Sequence, residues 1–180
     1  MKKIGVFILF SLMLICFSGC TPKQTQSNES MLPTETVTLT DGLGRVLRLN
    51  LPAQRIVSLA PSNTELLFYV GAGSQVVGRD SFSDFPEAAL LVEDIGGSMG
   101  QYDYEAIAAL QPDLILAAQI NTPEQVKAIE DLGLKVFYLS NPVKLDSISV
   151  MITTVGILTG RDKEAAALTE EGVEFQPLPL

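Results

Sequence analysis

Apolar positions along this chain change spacing in blocks, and each change of period predicts an element. Residues 37–51, VTLTDGLGRVLRLNL, alternate on either side of Asp41-Gly42-Leu43-Gly44. That pattern predicts two short strands joined as a surface hairpin, closed by Pro52. The next stretch, RIVSLAPSNTELLFYVGAG over Arg55 to Gly73, organises the rest. It reads as a buried strand (Ile56, Val57, Leu59, Ala60), a tight turn and a short apolar helix. Ser62 or Asn63 is expected to accept the free helix N–H groups, with Glu65 in the first turn and Gly71 and Gly73 as the left-handed stop. Such a unit sets its turn at the carboxyl edge of a parallel sheet, where open α/β folds bind ligands.

The plan then repeats. Gln75 to Gly78 is a second strand, and a short third one precedes the loop Ile95-Gly96-Gly97-Ser98-Met99-Gly100. Tyr104 to Leu110 is a short helix with Asp103 as N-cap and Glu105 in its first turn. Leu114 to Ala118 is continuously apolar, as in a strand buried on both faces. Thr122-Pro123-Glu124 opens a helix whose inner face carries Val126, Ile129 and Leu132, and Gly133 ends it. Leu134 to Leu139 is the next strand, Leu145 to Leu158 a striped helix, and Asp162 the cap of a last one. The β-α-β-α order predicts an α/β fold: a three-layer, Rossmann-like lobe with a mostly parallel sheet, an N-terminal hairpin and C-terminal helices.

Two loops offer contact groups at the expected sheet edge. In Arg79 to Pro86, the spacing of Phe82 and Phe85 suggests one core residue and one ligand-facing residue, and Asp84 and Pro86 lead into a helix through Glu87-Ala88-Ala89. The glycine-dense loop lacks the spacing of a phosphate-binding fingerprint, so close backbone approach is the better reading.

The N-terminus stands apart. Lys2 and Lys3 precede an apolar run from Ile4 to Phe17, ending Phe17-Ser18-Gly19-Cys20. This resembles a bacterial lipobox, which implies lipidation at Cys20; an ordinary secretory signal or a short transmembrane helix is the alternative, although the run is shorter than the ~20 residues a span needs. Thr21 to Thr36 is polar and reads as a flexible tether. The organisation is therefore signal 1–20, tether 21–36, lobe 37–160, and 161–180 as the start of a further helix plus a tail.

Composition narrows the chemistry. The net charge of −9 argues against nucleic acid and against a polybasic membrane patch. Histidine is absent, and both cysteines, Cys16 and Cys20, fall in the signal, leaving the lobe without a thiol nucleophile or the commonest zinc ligands. Ser62 has no base to activate it, so no catalytic residue is assigned and an enzyme is not expected.

The succession RIVSLAPSNTELLFYVGAG, VVGRDSFSDFP, DIGG, YEAIAALQPDLIL and EQVKAIEDLGLKVFYL, over Arg55 to Leu168, is similar to the cobalamin and iron-siderophore class of substrate-binding proteins of ABC importers. The resemblance implies two α/β lobes joined by a long helix, with the ligand held between them. It maps the ligand edge of the first lobe to Pro61, Ser62, Asn63, Ser81, Phe82, Ser98 and Met99, and to residues after Leu116. It maps to Glu105 the acid that docks on permease arginines. No resident cofactor or metal is implied, the ligand itself being a corrinoid or an iron chelate. The expected partners are permease subunits, that chelate and, through the lipid, the outer face of the cell membrane. Met99 and Ala118 stand where cobalamin-binding relatives carry aromatics, and the helix from Asp162 is cut short, as in a truncated first lobe. The competing function is a surface lipoprotein acting only through protein partners.

Overall fold

In a computed structural model, the described residues are 34–97 and 100–170. The stretch read as a signal with Cys20, most of the stretch read as a tether, Ser98, Met99 and residues 171–180 lie outside them. Two strands, β1 (Glu35–Thr40) and β2 (Val46–Leu51), form the hairpin as an antiparallel sheet of their own. Pairing begins at Glu35, within the stretch read as tether. The remaining strands are β3 (Ile56–Ser58), β4 (Val76–Arg79), β5 (Glu93–Asp94), β6 (Leu114–Ala117) and β7 (Val136–Tyr138). They make a five-stranded sheet in the order β5-β4-β3-β6-β7, every neighbouring pair parallel.

Five helices flank it: α1 (Pro61–Tyr69), α2 (Tyr104–Ala109), α3 (Pro123–Glu130), α4 (Leu145–Thr159) and α5 (Asp162–Glu170). Side chains alternate along the strands, so each of two cores takes every second residue. Ile56, Leu114, Leu116 and Phe137 pack with Leu67 of α1, Val155 and Leu158 of α4 and Ala165 of α5. Val57, Ile115, Ala117 and Val136 pack with Ile107 of α2 and with Val126 and Ile129 of α3. The sheet is thus the middle of three layers.

Local chemistry explains most boundaries. Thr122 and Gln125 form a reciprocal capping box on α3, and Asp103 accepts from Ala106 N at α2. Gly71, Gly133 and Gly160 take positive φ where helices stop.

Several expectations are corrected. The N-cap of α1 is Ala60, with Pro61 as the first helical residue and no side-chain cap, so neither Ser62 nor Asn63 caps it and Glu65 falls beyond the first turn. Proline needs no N–H partner there, which removes one of the groups a cap would serve. Gly73 does not act as a left-handed stop but opens a 3-10 turn over Gly73–Gln75. Residues Glu87–Leu91 form a 3-10 turn instead of an α-helix. Neither phenylalanine is core: Phe82 is 58% and Phe85 62% exposed. Leu132 lies past the end of α3 and is 48% exposed. Asp162 sits in the first turn of α5 and is not its cap.

The hairpin is also more than a surface flap. Leu49 and Leu51 are buried in the first core. Its turn seals the outer edge of β7: Gly42 N donates to Tyr138 O at 2.8 Å, and Arg45 Nη2 to Val136 O at 3.2 Å. An unpaired edge strand is a template for aggregation, and this turn occupies it. Further down, Gln75 Nε2 donates to Ala53 O and Thr159 O, tying the β2–β3 link to the end of α4. Its buried Oε1 has no partner among the described residues.

Candidate functional site

Strand order reverses at β3: the chain moves outward to β4 and β5, then returns past β3 to β6 and β7. The loops leaving β3 and β6 therefore diverge at the carboxyl edge and open a crevice between them. Four loops meet there, and two buried polar networks fix them.

The first network starts at Asp80, just after β4. Its Oδ2 accepts the Ser83 hydroxyl, and its Oδ1 accepts Phe82 N at 2.9 Å. Thr64 Oγ1 in α1 lies 2.8 Å from both Ser83 Oγ and Ser58 Oγ. The first turns of α1, which carry Pro61 and Ser62, are thereby locked to the loop that carries Ser81 and Phe82. Ser81 N in turn donates to Gly96 O at 2.7 Å, tying that loop to the glycine-rich one. The Ser81 hydroxyl is held by Asp94 at 2.7 Å. Burial pushes the Asp94 carboxyl upward, but donors from Gly96 N and Ser81, with the charge of Arg79, bring it below the usual carboxylate value.

The second network centres on the carbonyl of Leu59. Tyr102 Oη donates to it at 2.9 Å and Asn121 Nδ2 at 3.1 Å, while Asn121 Nδ2 also reaches Tyr102 Oη at 2.7 Å. Asn121 Oδ1 accepts Ala118 N at 2.8 Å. Burial first, then the nearby charge of Asp80, pushes the Tyr102 hydroxyl up to about 12 despite the Asn121 bond, so it stays protonated. In the same loop region Gly97 has φ +98, and a Cβ there would sit 2.7 Å from the Tyr102 ring. Only glycine fits.

The rim therefore gathers Pro61, Ser62, Ser81 and Phe82, with Ser62 and Phe82 exposed. Asn63 does not join them: it is buried, and its amide donates to Leu116 O at 3.2 Å. Glu105 is exposed on α2, in the layer opposite α1. Thr64, Asp80, Ser83, Tyr102 and Asn121 escaped the sequence reading, because nothing in the residues adjacent to each marks a partner so far along the chain.

Two recesses border the hairpin turn. One, of about 300 Å³, lies between the hairpin turn (Leu43, Arg45), the β6–α3 loop (Gln119, Asn121) and α3. The other, of about 330 Å³, lies between Ser140 and Val143 after β7 and Val150 and Met151 of α4. No group of three or more potential metal ligands occurs among the described residues. The arrangement suits an apolar or aromatic ligand edge with a few polar contacts, and it assembles no acid–base pair.

A family model described as periplasmic binding protein matches residues 56–174. The uncharacterized ABC transporter substrate-binding lipoprotein YvrC of Bacillus subtilis is 26% identical over 175 residues, covering 94% of this chain and 55% of that protein. The vitamin B12-binding protein of Yersinia pestis is 40% identical over 105 residues, 56% of this chain and 37% of that one. The solved structure of a periplasmic heme binding protein from Pseudomonas aeruginosa aligns with a TM-score of 0.61 at 28% identity, covering 66% of this chain and 43% of that one. This chain thus spans 55% or less of the length of each protein it is compared with here.

Proposed function

This chain belongs to the periplasmic binding protein family, and from that premise we propose that it serves as the extracytoplasmic solute-binding component of an ABC importer. Its cargo is cobalamin, a ferric siderophore or a related metal chelate such as heme, and it acts without catalysis. The observation that carries the reading is the rim at the strand-order reversal. There Ser62 and Phe82 stand exposed while the hydroxyls of Thr64, Ser83 and Tyr102 behind them are spent on holding the loops. Rigid loops presenting an exposed aromatic ring suit a large flat ligand, since little ordering entropy is lost on contact.

In this reading Pro61, Ser62, Ser81, Phe82, Ser98 and Met99 form one wall of the ligand site, and Asn63, buried beneath it, braces that wall through Leu116 O without touching the ligand. Glu105 docks on basic residues of the permease; such a pair contributes orientation more than affinity. A lipid on Cys20 keeps the lobe at the membrane. The relatives named for vitamin B12 and heme support the ligand class.

The test is a titration of the protein from Thr21 onward, without lipid, with vitamin B12, heme and ferric siderophores, followed by absorbance and calorimetry. Saturable binding of one of them, weakened by Phe82→Ala, is expected. If none binds, and none binds when the part of YvrC that this chain does not cover is fused after residue 170, the reading is wrong.

A further inference from the structure

We propose that the 300 Å³ slot between the hairpin turn and α3 is a subsite for a ligand side arm ending in a carboxamide; its place in a larger ligand site rests on the function proposed above. One residue of the slot is bonded to the strand end that leads into the rim. Asn121 lines it, and the same side chain holds the carbonyl of Leu59, two residues before Pro61. The β6–α3 loop, which carries Gln119 and Asn121, is thereby fixed to the loop that leads from β3 into Pro61 and Ser62. At about 30 Å³ per water-sized group, the slot has room for roughly ten heavy atoms, which is a side arm and not a ring system.

Its lining sets the chemistry. Leu43, Pro123 and Val126 supply apolar walls for a short methylene stem. Asn121 has no donor left for a ligand, since both Nδ2 hydrogens are spent on Leu59 O and Tyr102 Oη and its Oδ1 already accepts Ala118 N. Gln119 and the Tyr138 hydroxyl have no hydrogen-bond partner among the described residues, and each both donates and accepts. Arg45 spends its Nε on Asp41, its Nη2 on Val136 O and Asp41, and one Nη1 hydrogen on Glu130, which leaves one Nη1 hydrogen unspent.

The set thus offers donors for a carbonyl oxygen and, in Gln119 and the Glu130 carboxylate, acceptors for an NH2. A terminal carboxylate would meet the same donors but face Glu130, and Arg45 is already neutralised by Asp41 and Glu130. Repulsion of the charged analogue is what gives such a site its selectivity. The hairpin, which as a fold element seals a sheet edge and adds Leu49 and Leu51 to the first core, then also contributes Leu43 and Arg45 to ligand discrimination.

The first test needs no natural ligand. Propionamide and propionate are titrated at millimolar concentration into the full protein, and methyl and side-chain amide resonances are followed by NMR. Propionamide is expected to shift Leu43, Val126 and Gln119, propionate at least fivefold less, and Leu43→Trp, which fills the slot from an exposed position, to abolish the response. Absence of propionamide shifts, or equal shifts from both probes, overturns the proposal.

The second test compares vitamin B12, whose side arms end in carboxamides, with heme, whose side arms end in carboxylates. Leu43→Trp and Tyr138→Phe should each weaken vitamin B12 about tenfold while changing heme binding less than twofold. Equal losses for both ligands, or no loss for either, overturn the role of the slot in the ligand site. A slot that takes propionamide in a protein that binds no chelate leaves the subsite standing and removes the function proposed above.

Discussion

The side-chain amide of Asn121 donates to the carbonyl of Leu59, 62 residues earlier in the chain, at 3.1 Å. With Tyr102 on the same oxygen, this contact joins three loops at the carboxyl edge of the sheet. Asn121→Ala orphans the buried Ala118 N–H and removes one of the two donors to Leu59. It should cost about 1–3 kcal/mol in urea unfolding, with an unchanged m-value, whereas Tyr102→Phe should cost about 1 kcal/mol because Asn121 still serves the carbonyl.

Acid should loosen the hairpin before the sheet. The Asp41 side chain is fully buried, and burial alone would raise its pKa. Hydrogen bonds from Arg45 and from Leu43 N, with the guanidinium charge, more than offset that and hold it below its ordinary value. A carboxyl depressed on folding adds stability that is full above its unfolded pKa, near 3.8, and is lost as pH falls through the lower folded value. The urea midpoint should therefore drop from pH 5 towards pH 2, and Asp41→Asn should flatten that part of the profile. Arg45→Met, which strands the buried carboxylate, should cost about 3 kcal/mol at pH 7.

Gly97→Ala combines a left-handed backbone with a Cβ placed 2.7 Å from the Tyr102 ring. It should cost at least about 1 kcal/mol of strain. Because Tyr102 ties this loop to Leu59, amide exchange at Gly100 and Asp103 should quicken while exchange at Val57 and Ile115 stays slow. Quickened exchange throughout the sheet would point to general destabilisation instead.

Phe82→Ala and Leu67→Ala separate binding from folding. Phe82 is 58% exposed, so its truncation should leave the unfolding midpoint within about 0.5 kcal/mol and lower affinity for the bound chelate. Leu67 is wholly buried among α1, the sheet and α4, and its truncation should cost about 2–5 kcal/mol. A Phe82→Ala protein that binds as tightly as the parent would remove Phe82 from the ligand wall.

Charge reversal of Glu105, exposed in the first turn of α2, should leave chelate titrations unchanged and abolish co-purification with a permease. Loss of ligand binding by Glu105→Lys would place this residue in the cleft and not at a docking face.

Much of the lobe was legible because the signals are local. The Thr122 cap with Pro123 behind it, the Asp103 cap, the glycine stops at Gly71, Gly133 and Gly160 and the alternation of the hairpin strands each depend on residues a few positions apart. So does the β-α order that fixes the fold class. Local reasoning failed where two local answers compete: Pro61 took the position that a cap at Ser62 or Asn63 would need, and both Phe82 and Phe85 stayed in solvent because Asp80 and Ser83 anchor their loop instead.

The chain by itself therefore determined its elements and the loops able to carry a ligand, since backbone propensity and apolar spacing act over one or two turns. Only the folded molecule decided which loops meet, because that turns on pairs far apart in the chain: Asn121 with Leu59, Thr64 with Ser83, Arg45 with Glu130. Each pair satisfies polar groups that burial would otherwise leave without partners, and that requirement arises only once the layers have packed.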